Sequence, residues 1–461
     1  MKPKIRPIDL PCAPDLVFAG VCDRRGAFLL ESASDIGGLG KFSFIGFDPF
    51  LVVRAADGLV NVCRTDGEED FRADALDTIK RLLGEHRCDS VPGVPFVGGA
   101  VGFCSYEFGA KLENVVSSKA DDLRVPDVEF GFYDGIIMFD HVAQRVSLVA
   151  CPVNKYAPTT IFRRLEKALA PSGSKAVAGK AVGKRSVELT AAVTKEDYLK
   201  AISRIKNYIA EGDVYQVNLT QRFDAALAEH PYSLYQKLRK LSAAPFACYL
   251  NSAHLQIVSS SPERFLRVSG RRVETRPIKG TRPRGSSSVE DQRLRAELAA
   301  SEKDQAELLM IVDLQRNDLG RVCVPGSIKV DEMFTIETHP TVHHLVANVS
   351  GELRPGCDVV DCLRAALPGG SITGAPKIRA MQIIEELEKT RRGVYTGAIG
   401  YLGFDGSCDF NIAIRTILCA HGRAYYHVGG GIVWDSKPEA EFQETLDKGA
   451  AMRAALLGQT A

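Results

Sequence analysis

The chain has no CxxC pair among its 12 cysteines, which are scattered through 461 residues. Zinc-ribbon spacing is therefore excluded, and a disulfide framework is disfavoured; reduced thiols in a cytoplasmic protein fit better. No stretch approaches the ~18 consecutive apolar residues of a membrane span. The opening segment, MKPKIRPIDLPCAPDLVF, has basic residues but lacks the continuous apolar run of a signal peptide. Net charge is only +1, so nothing electrostatic argues for nucleic acid or an acidic surface as partner. GK[ST] is missing, which removes the Walker phosphate loop. HExxH is missing too; in HPTVHH, His339, His343 and His344 suit core or substrate-contact roles better than zinc. There is no short-period repeat.

What is present is ordinary for a soluble globular protein: 45% hydrophobic and 25% charged residues. At ~150 residues per domain the length alone suggests about three domains. Residues 1–168 read as short strands with turns, including FLLESAS, FSFIGF, LVVRAADGLVNVC, FVGGAVGFCSYEF and GIIMFD, interrupted by one helix, ADALDTIKRLLGEH. APSGSKAVAGKAVGKRS, residues 170–186, has no acid and no amphipathic period, and marks a linker spanning about 169–190. From 191 to 457 helices and strands mix. YLKAISRIKNYIAEGD, SLYQKLRKLSA, SEKDQAELLMIVDLQRNDLG, PKIRAMQIIEELEKT and a terminal stretch from about Glu439 read as helices. VYQVNLTQRF, FACYL, LQIVSSS, RFLRVSG, RRVETRPI, GAIGYLGF, FNIAIRTILC and AYYHVGGGIVW read as strands. Adjacent strands with layered helices give an α+β class rather than a doubly wound sheet.

Three constellations carry chemistry. First, a two-residue turn at Ser269-Gly270 makes RFLRV and RRVET a hairpin and sets Glu263 opposite Arg276. Glu263 and Lys279 then leave the same end of the hairpin, a carboxyl and an amine facing one site. On these residues alone, an exposed salt bridge at a sheet edge is the simpler account. Second, Asp304 and Glu307 share a helix face, as do Glu441 and Glu444. Facing pairs of this kind suit a hard cation such as magnesium, although Glu444 and Lys448 would also make an ordinary i,i+4 pair. Third, PGGSITGAPKIRAM sets a Gly- and hydroxyl-rich loop at a helix start, where backbone N–H groups bind anions. Gly429, Gly430 and Gly431 allow close approach of a ligand or, equally, tight packing.

SPERF (261–265), PIKGTRPRG (277–285), DLxRND (313–318), GAPKIRAM (374–381) and GGGIVWDS (429–436) occur in one order. Together they resemble the chorismate-using enzymes: anthranilate, aminodeoxychorismate, isochorismate and salicylate synthases. The resemblance is strong over residues 190–457, and LLESAS and FIGFDP resemble the family's N-terminal portion. It implies a large two-sheet β-sandwich wrapped by helices, with both parts of the chain in one compact body. PIKGT resembles the aminodeoxychorismate synthase branch, whereas anthranilate synthases resemble PIAGT. APFACYL (244–250) points the same way, in place of the PYM-type sequence that contacts feedback tryptophan. In the hydroxylating members a water-activating lysine sits where VYQVNLTQ places Gln216, a poor base. Ser32, in LLESAS, resembles the tryptophan pocket of anthranilate synthases and leaves tryptophan open as a structural or regulatory ligand.

The resemblance implies that ammonia replaces the para hydroxyl of chorismate, for para-aminobenzoate and folate biosynthesis. It gives Lys279 the role of first nucleophile and Glu263 that of general acid, then base. It implies Mg2+ on Glu307 and Glu444, with Asp304 and Glu441 as an outer shell. Arg415 and Tyr395 match residues holding the enolpyruvyl carboxylate. Gly429, Gly430 and Gly431 supply backbone donors, His344 and Lys448 line the pocket, and Thr373, Gly374 and Ala375 flank the ring. The cysteine elbow GxCxG of a glutaminase is absent, GFCSY at Cys104 being the nearest approach. Ammonia is thus expected from a separate glutamine amidotransferase subunit, and aromatisation from a separate lyase. Anthranilate synthase, and a non-catalytic chorismate- or tryptophan-binding module, are the alternatives; a sensor needs no general acid, which counts against the last.

Overall fold

The computed structural model describes residues 1–9, 13–34, 39–169, 188–339 and 342–459. The linker stretch 170–186 lies outside the described residues. Two large antiparallel sheets of 12 strands each form the body. Both sheets interleave early and late segments of the chain. In one, Phe28–Glu31 pairs with Phe246–Asn251; in the other, Gly99–Cys104 pairs with Ala398–Gly403. Every strand pair is antiparallel, as expected for an α+β sandwich rather than a doubly wound sheet.

The largest core fills the space between the sheets, where Phe103, Phe130 and Phe410 of one sheet meet Val217, Leu219 and Ile257 of the other. A second core lies on the outer face of the first sheet, under the helices Pro158–Leu169, Pro231–Leu241 and Pro438–Leu457. Gln216–Ala226 and Arg423–Ile432 pair along ten residues and carry the helices Lys377–Leu387 and Pro438–Leu457 beside them. Helix Glu302–Gly320 packs on the other sheet, against Ile278–Pro283 and Val342–Glu352. Its start follows the expected cap: the Ser301 hydroxyl accepts the Asp304 N–H.

Five local expectations are corrected. FNIAIRTILC is not one strand but two, Cys408–Ile412 and Thr416–Ala420, in different sheets. Arg415 makes the switch with φ of 49°, and no glycine or proline marks it. RRVETRPI breaks at Pro277 into Arg272–Arg276 and Ile278–Pro283. The hairpin turn is Gly270-Arg271, so Ser269 faces Arg272, and a bulge leaves Arg264, not Glu263, opposite Arg276. SYEF is helical, because Ser105 caps Tyr106–Leu112. Pro376 precedes the helix Lys377–Leu387 instead of sitting in its first turn.

Candidate active site

The candidate site forms where two neighbouring segments cross from one sheet to the other. Gln256–Ser261 lies in the first sheet and Arg264–Ser269 in the second, so Pro262 and Glu263 make one crossing. Ala413 to Arg415 make the other. Hydrogen bonds lace the two together: Ile412 N donates to Glu263 O at 3.1 Å, Ser260 N to Arg415 O at 3.1 Å, and Ser261 Oγ to Ile412 O at 2.6 Å. A crossing strand leaves its ladder, which turns side chains such as Glu263 inward without a sheet partner.

Glu263 is buried, and burial pushes its carboxyl up to about 7, against the opposing pull of the Ser371 hydroxyl, Lys279 and the Ile278 N–H. Lys279 reaches the same place from the edge strand Ile278–Pro283. Its amine donates to Ser371 O at 3.1 Å. Burial holds that amine below the usual lysine range; Glu307, Glu263 and Glu444 oppose the shift and Lys448 adds to it. Gly280 next to it has φ of 74°, and a Cβ there would lie 2.9 Å from Asp304 Cβ and Leu298 Cδ1. The glycine lets the helix close over the lysine.

The four acids divide by their partners. Asp304 Oδ2 accepts from Arg282 Nη2 at 3.2 Å, and Glu441 Oε1 accepts from the Ser436 hydroxyl at 2.6 Å. Glu307 has only Lys303 near it, at 3.9 Å. Burial holds the Glu307 carboxyl above its usual range, helped by repulsion from Asp304 and Glu444. Burial also pushes Glu444 up, but Lys448, bonded at 2.6 Å, and the lysines 303 and 279 outweigh it. A Cβ on Gly430 would lie 3.5 Å from both Glu441 Oε2 and Glu444 Oε1, so that glycine faces the acids. Mutually repelling carboxylates in one pocket fit a hard cation held by one or two of them with water. No three converge within 4.8 Å; among the described residues only Cys22, Asp23 and His230 do. That trio is ill suited to a metal. His230 Nδ1 accepts the Tyr232 N–H, leaving Nε2 to carry its proton toward Asp23.

Arg415 contacts the Ser242 hydroxyl at 3.4 Å and, among the described residues, has no carboxylate partner. A shielded guanidinium without a counter-ion suits an anionic ligand group. His344 is buried and stands opposite Thr281 on the paired strands; Nδ1 meets the Thr281 hydroxyl at 2.9 Å, and Nε2 has no partner. Burial, with Arg415 and His339 nearby, keeps the ring neutral. Tyr395 is drawn to the crossing by the bond from Thr396 N to Ala413 O, but its ring stacks on His427, centroids 5.2 Å apart. Gln216 is fully buried, and neither end of its amide has a hydrogen-bond partner. It lies beside Gly431, where a Cβ would strike its Nε2 at 2.6 Å, and opposite Ala375. Thr373 and Gly374 pack on the same strand, Thr373 O accepting the Asn218 N–H at 2.8 Å. Lys448 Nζ donates to Gly429 O at 3.2 Å.

Ser371 stands between Glu263 and Lys279, although the sequence singled out only the loop around it. Arg392 and Glu388 were also missed. They form a buried pair at 2.6 Å, and Arg392 donates to Ile372 O and Asn218 O, pinning the loop to the strand. Two residues of the quoted motifs, Asp318 and Lys377, form a second buried pair at 2.7 Å, away from the acids. Ser32 is elsewhere again. It lines a cavity of about 190 Å³ with Lys41, Phe42, Phe246 and Arg264, and its hydroxyl donates to Pro245 O at 3.3 Å. APFACYL supplies Pro245, Phe246, Ala247 and Cys248 to that wall, and none of Glu263, Lys279, Glu307 or Glu444 borders it.

Glu263 has a measurable cost. Its carboxyl titrates near 7 when folded against 4.5 ordinarily, so the folded chain keeps a proton that the unfolded chain has released. Stability is fully present below about pH 4.5 and falls as pH rises toward 7. Glu263→Gln is expected to remove that fall and to gain about 3 kcal/mol at pH 8. Urea melts at pH 5 and pH 8 check this; parallel pH dependence in both proteins would refute it.

A sequence profile described as chorismate binding enzyme matches residues 40–454. Aminodeoxychorismate synthase component 1 of Bacillus subtilis (strain 168) is 39% identical over 436 residues, covering 94% of this chain and 92% of that protein. Anthranilate synthase component 1 of Thermus thermophilus is 40% identical over 436 residues, covering 93% and 92%. Among solved structures, anthranilate synthase component I from Streptococcus pneumoniae TIGR4 superposes with a TM-score of 0.80 at 30% identity, over 90% of this chain and 92% of that one.

Proposed function

The chain belongs to the chorismate-binding enzyme family, and from that membership we propose that it is the chorismate-converting component of an aminodeoxychorismate synthase. Overall identity does not choose between para and ortho amination, since 39% and 40% are equivalent. Residue 279 does. The observation that carries the choice is an amine held below the usual lysine range and tied through Ser371 O to the neighbourhood of a protonatable Glu263. One conjugate displacement by ammonia yields an ortho amine. Two successive displacements return the amine to the para carbon, and the first needs a nucleophile that later leaves.

The Lys279 amine attacks the ortho carbon, the ring double bond shifts, and the para C–O bond breaks while Glu263 gives its proton to the departing hydroxyl. Ammonia then attacks the para carbon, loses a proton to Glu263, and expels the lysine. Arg415 and Tyr395 hold the enolpyruvyl carboxylate. His344, Gln216, Lys448 and the segments 373–375 and 429–431 form the walls. Magnesium, when bound by Glu307 and Glu444 with Asp304 and Glu441 behind them, supplies positive charge for the ring carboxylate.

Ammonia comes from a separate glutaminase subunit in this proposal, and the protein works in the cytoplasm; no helix among the described residues is long and apolar enough to cross a membrane. The cavity at Ser32 is the candidate tryptophan site. The purified chain is expected to turn over chorismate with ammonium salts and magnesium, to give 4-amino-4-deoxychorismate, and to ignore glutamine. Chromatography of the product against both amine standards tests this. An ortho amine would move the chain to the anthranilate synthases, binding without turnover would make it a regulatory module, and glutamine use by the chain alone would end the separate-subunit proposal.

A further inference from the structure

Ser371 occupies the single turn Gly370–Ile372, between the loop after helix Val359–Ala366 and the short strand Gly374–Ala375. The turn is held from three sides. Asn218 Nδ2 and Lys279 Nζ both donate to Ser371 O at 3.1 Å, and Arg392 Nη1 donates to Ile372 O at 3.0 Å. Thr373 Oγ1 closes the turn on Gly369 O at 3.0 Å. The Ser371 side chain is therefore fixed by its backbone, not free to choose a partner. Its hydroxyl is buried, makes no hydrogen bond elsewhere, and lies against the Glu263 carboxyl.

We propose that Ser371 is the positioning residue that couples the two reacting side chains: its carbonyl oxygen holds the Lys279 amine and its hydroxyl serves the Glu263 carboxyl. The proposal rests on the reading of Glu263 as the acid that protonates the departing hydroxyl. A carbonyl accepts equally from an ammonium and from a neutral amine, so it keeps Lys279 in place through its loss of a proton. A hydroxyl donates to a carboxylate and can accept from a carboxylic acid, so it follows Glu263 through both of its roles. The groups facing Glu263 are Lys279 from the edge strand, the Ile278 N–H and Ser371; no other charged group among the described residues acts on it. Removing the hydroxyl takes away a donor to the charged form, so the carboxyl becomes harder to ionise.

The test compares wild type, Ser371→Ala and Ser371→Thr, full chain, with ammonium chloride, magnesium and chorismate, following chorismate loss against pH. The wild-type kcat/KM should fall as pH rises through the Glu263 titration, a limb identified by its displacement in Glu263→Asp. Ser371→Ala should lower kcat by about 10- to 100-fold, the scale of one hydrogen bond to a charged group, with KM little changed. Its alkaline limb should move up by about one pH unit. Ser371→Thr, which keeps the hydroxyl, should restore both the rate and the position of the limb. An alanine variant with wild-type kcat and limb overturns the proposal. So does a loss of rate with an unmoved limb, or a threonine variant as impaired as alanine while both melt like wild type. An ortho product from wild type overturns para-amination and leaves this assignment standing, because both routes protonate the same hydroxyl.

Discussion

Glu307→Gln and Glu444→Gln each lower turnover by roughly a thousandfold, the several kcal/mol that a bound cation contributes at a polarised oxygen, and neither lowers the melting temperature appreciably. The asymmetry follows from what these carboxylates do for the fold. Glu307 makes one loose contact, with Lys303 at 3.9 Å, and burial already disfavours its charge. An amide of equal volume relieves that burial. Glu444 is half exposed and pairs with Lys448 one turn on, an arrangement worth about 0.3–0.5 kcal/mol. Asp304 and Glu441 are already engaged by Arg282 and Ser436, so Asp304→Asn and Glu441→Gln should reduce turnover less and stability more. Calorimetric titration of magnesium into the substrate-free protein gives a readout independent of activity. Binding should be lost in Glu307→Gln and should weaken in wild type as pH falls, because protons compete for a carboxyl already held above its usual range. Full turnover in chelator would overturn the carboxylate-pair assignment.

What the sequence made legible was local, and what it hid was the switching of strands between sheets. Two acids three apart on one helix share a face by geometry, so Glu307 could be placed beside Asp304, and Glu444 beside Glu441, before any fold was known. The Ser301 cap follows from the same kind of reasoning. The change of sheet at Arg415 has no local signature: FNIAIRTILC stays apolar and β-branched across it, and the left-handed residue is an arginine instead of a glycine. The error mattered, because the crossing is what turns Glu263 and Arg415 toward one another. Ser371 and Arg392 escaped for a related reason. A serine in a Gly-rich loop reads as a turn, and an arginine in KTRRG reads as solvated, until Lys279, Asn218 and Glu388 arrive from distant segments to meet them. Conversely, the quoted DLxRND and GAPKIRAM motifs contribute Asp318 and Lys377 to a buried pair that tethers two helices, and its place is in the scaffold.

With chorismate and magnesium but no ammonia, wild type should accumulate an enzyme-bound adduct weighing one substrate less one water. The new bond joins Lys279 Nζ to the ortho carbon, the para C–O bond breaks, and the hydroxyl leaves as water with the Glu263 proton. Two features of the site favour this. Burial depresses the amine's proton affinity, and the carboxylates that oppose the depression are Glu307, Glu263 and Glu444. A cation on Glu307 and Glu444 and a proton on Glu263 would cancel all three, leaving burial and Lys448 to deprotonate the amine only when the site is loaded. Intact-protein mass spectrometry should therefore show the adduct with both magnesium and chorismate present, and peptide mapping should place it between Arg276 and Arg284. Lys279→Ala should lose the adduct and lower para-amination at least about a hundredfold, while direct attack by ammonia at the ortho carbon leaves some anthranilate-type product. Lys279→Arg should not rescue, because a guanidinium stays protonated and is a poor nucleophile. A lysine that served only as a structural cation predicts the opposite pattern, with arginine tolerated and no adduct. Full para-amination by Lys279→Ala would remove the lysine from the chemistry, and the two-displacement route would fall with it.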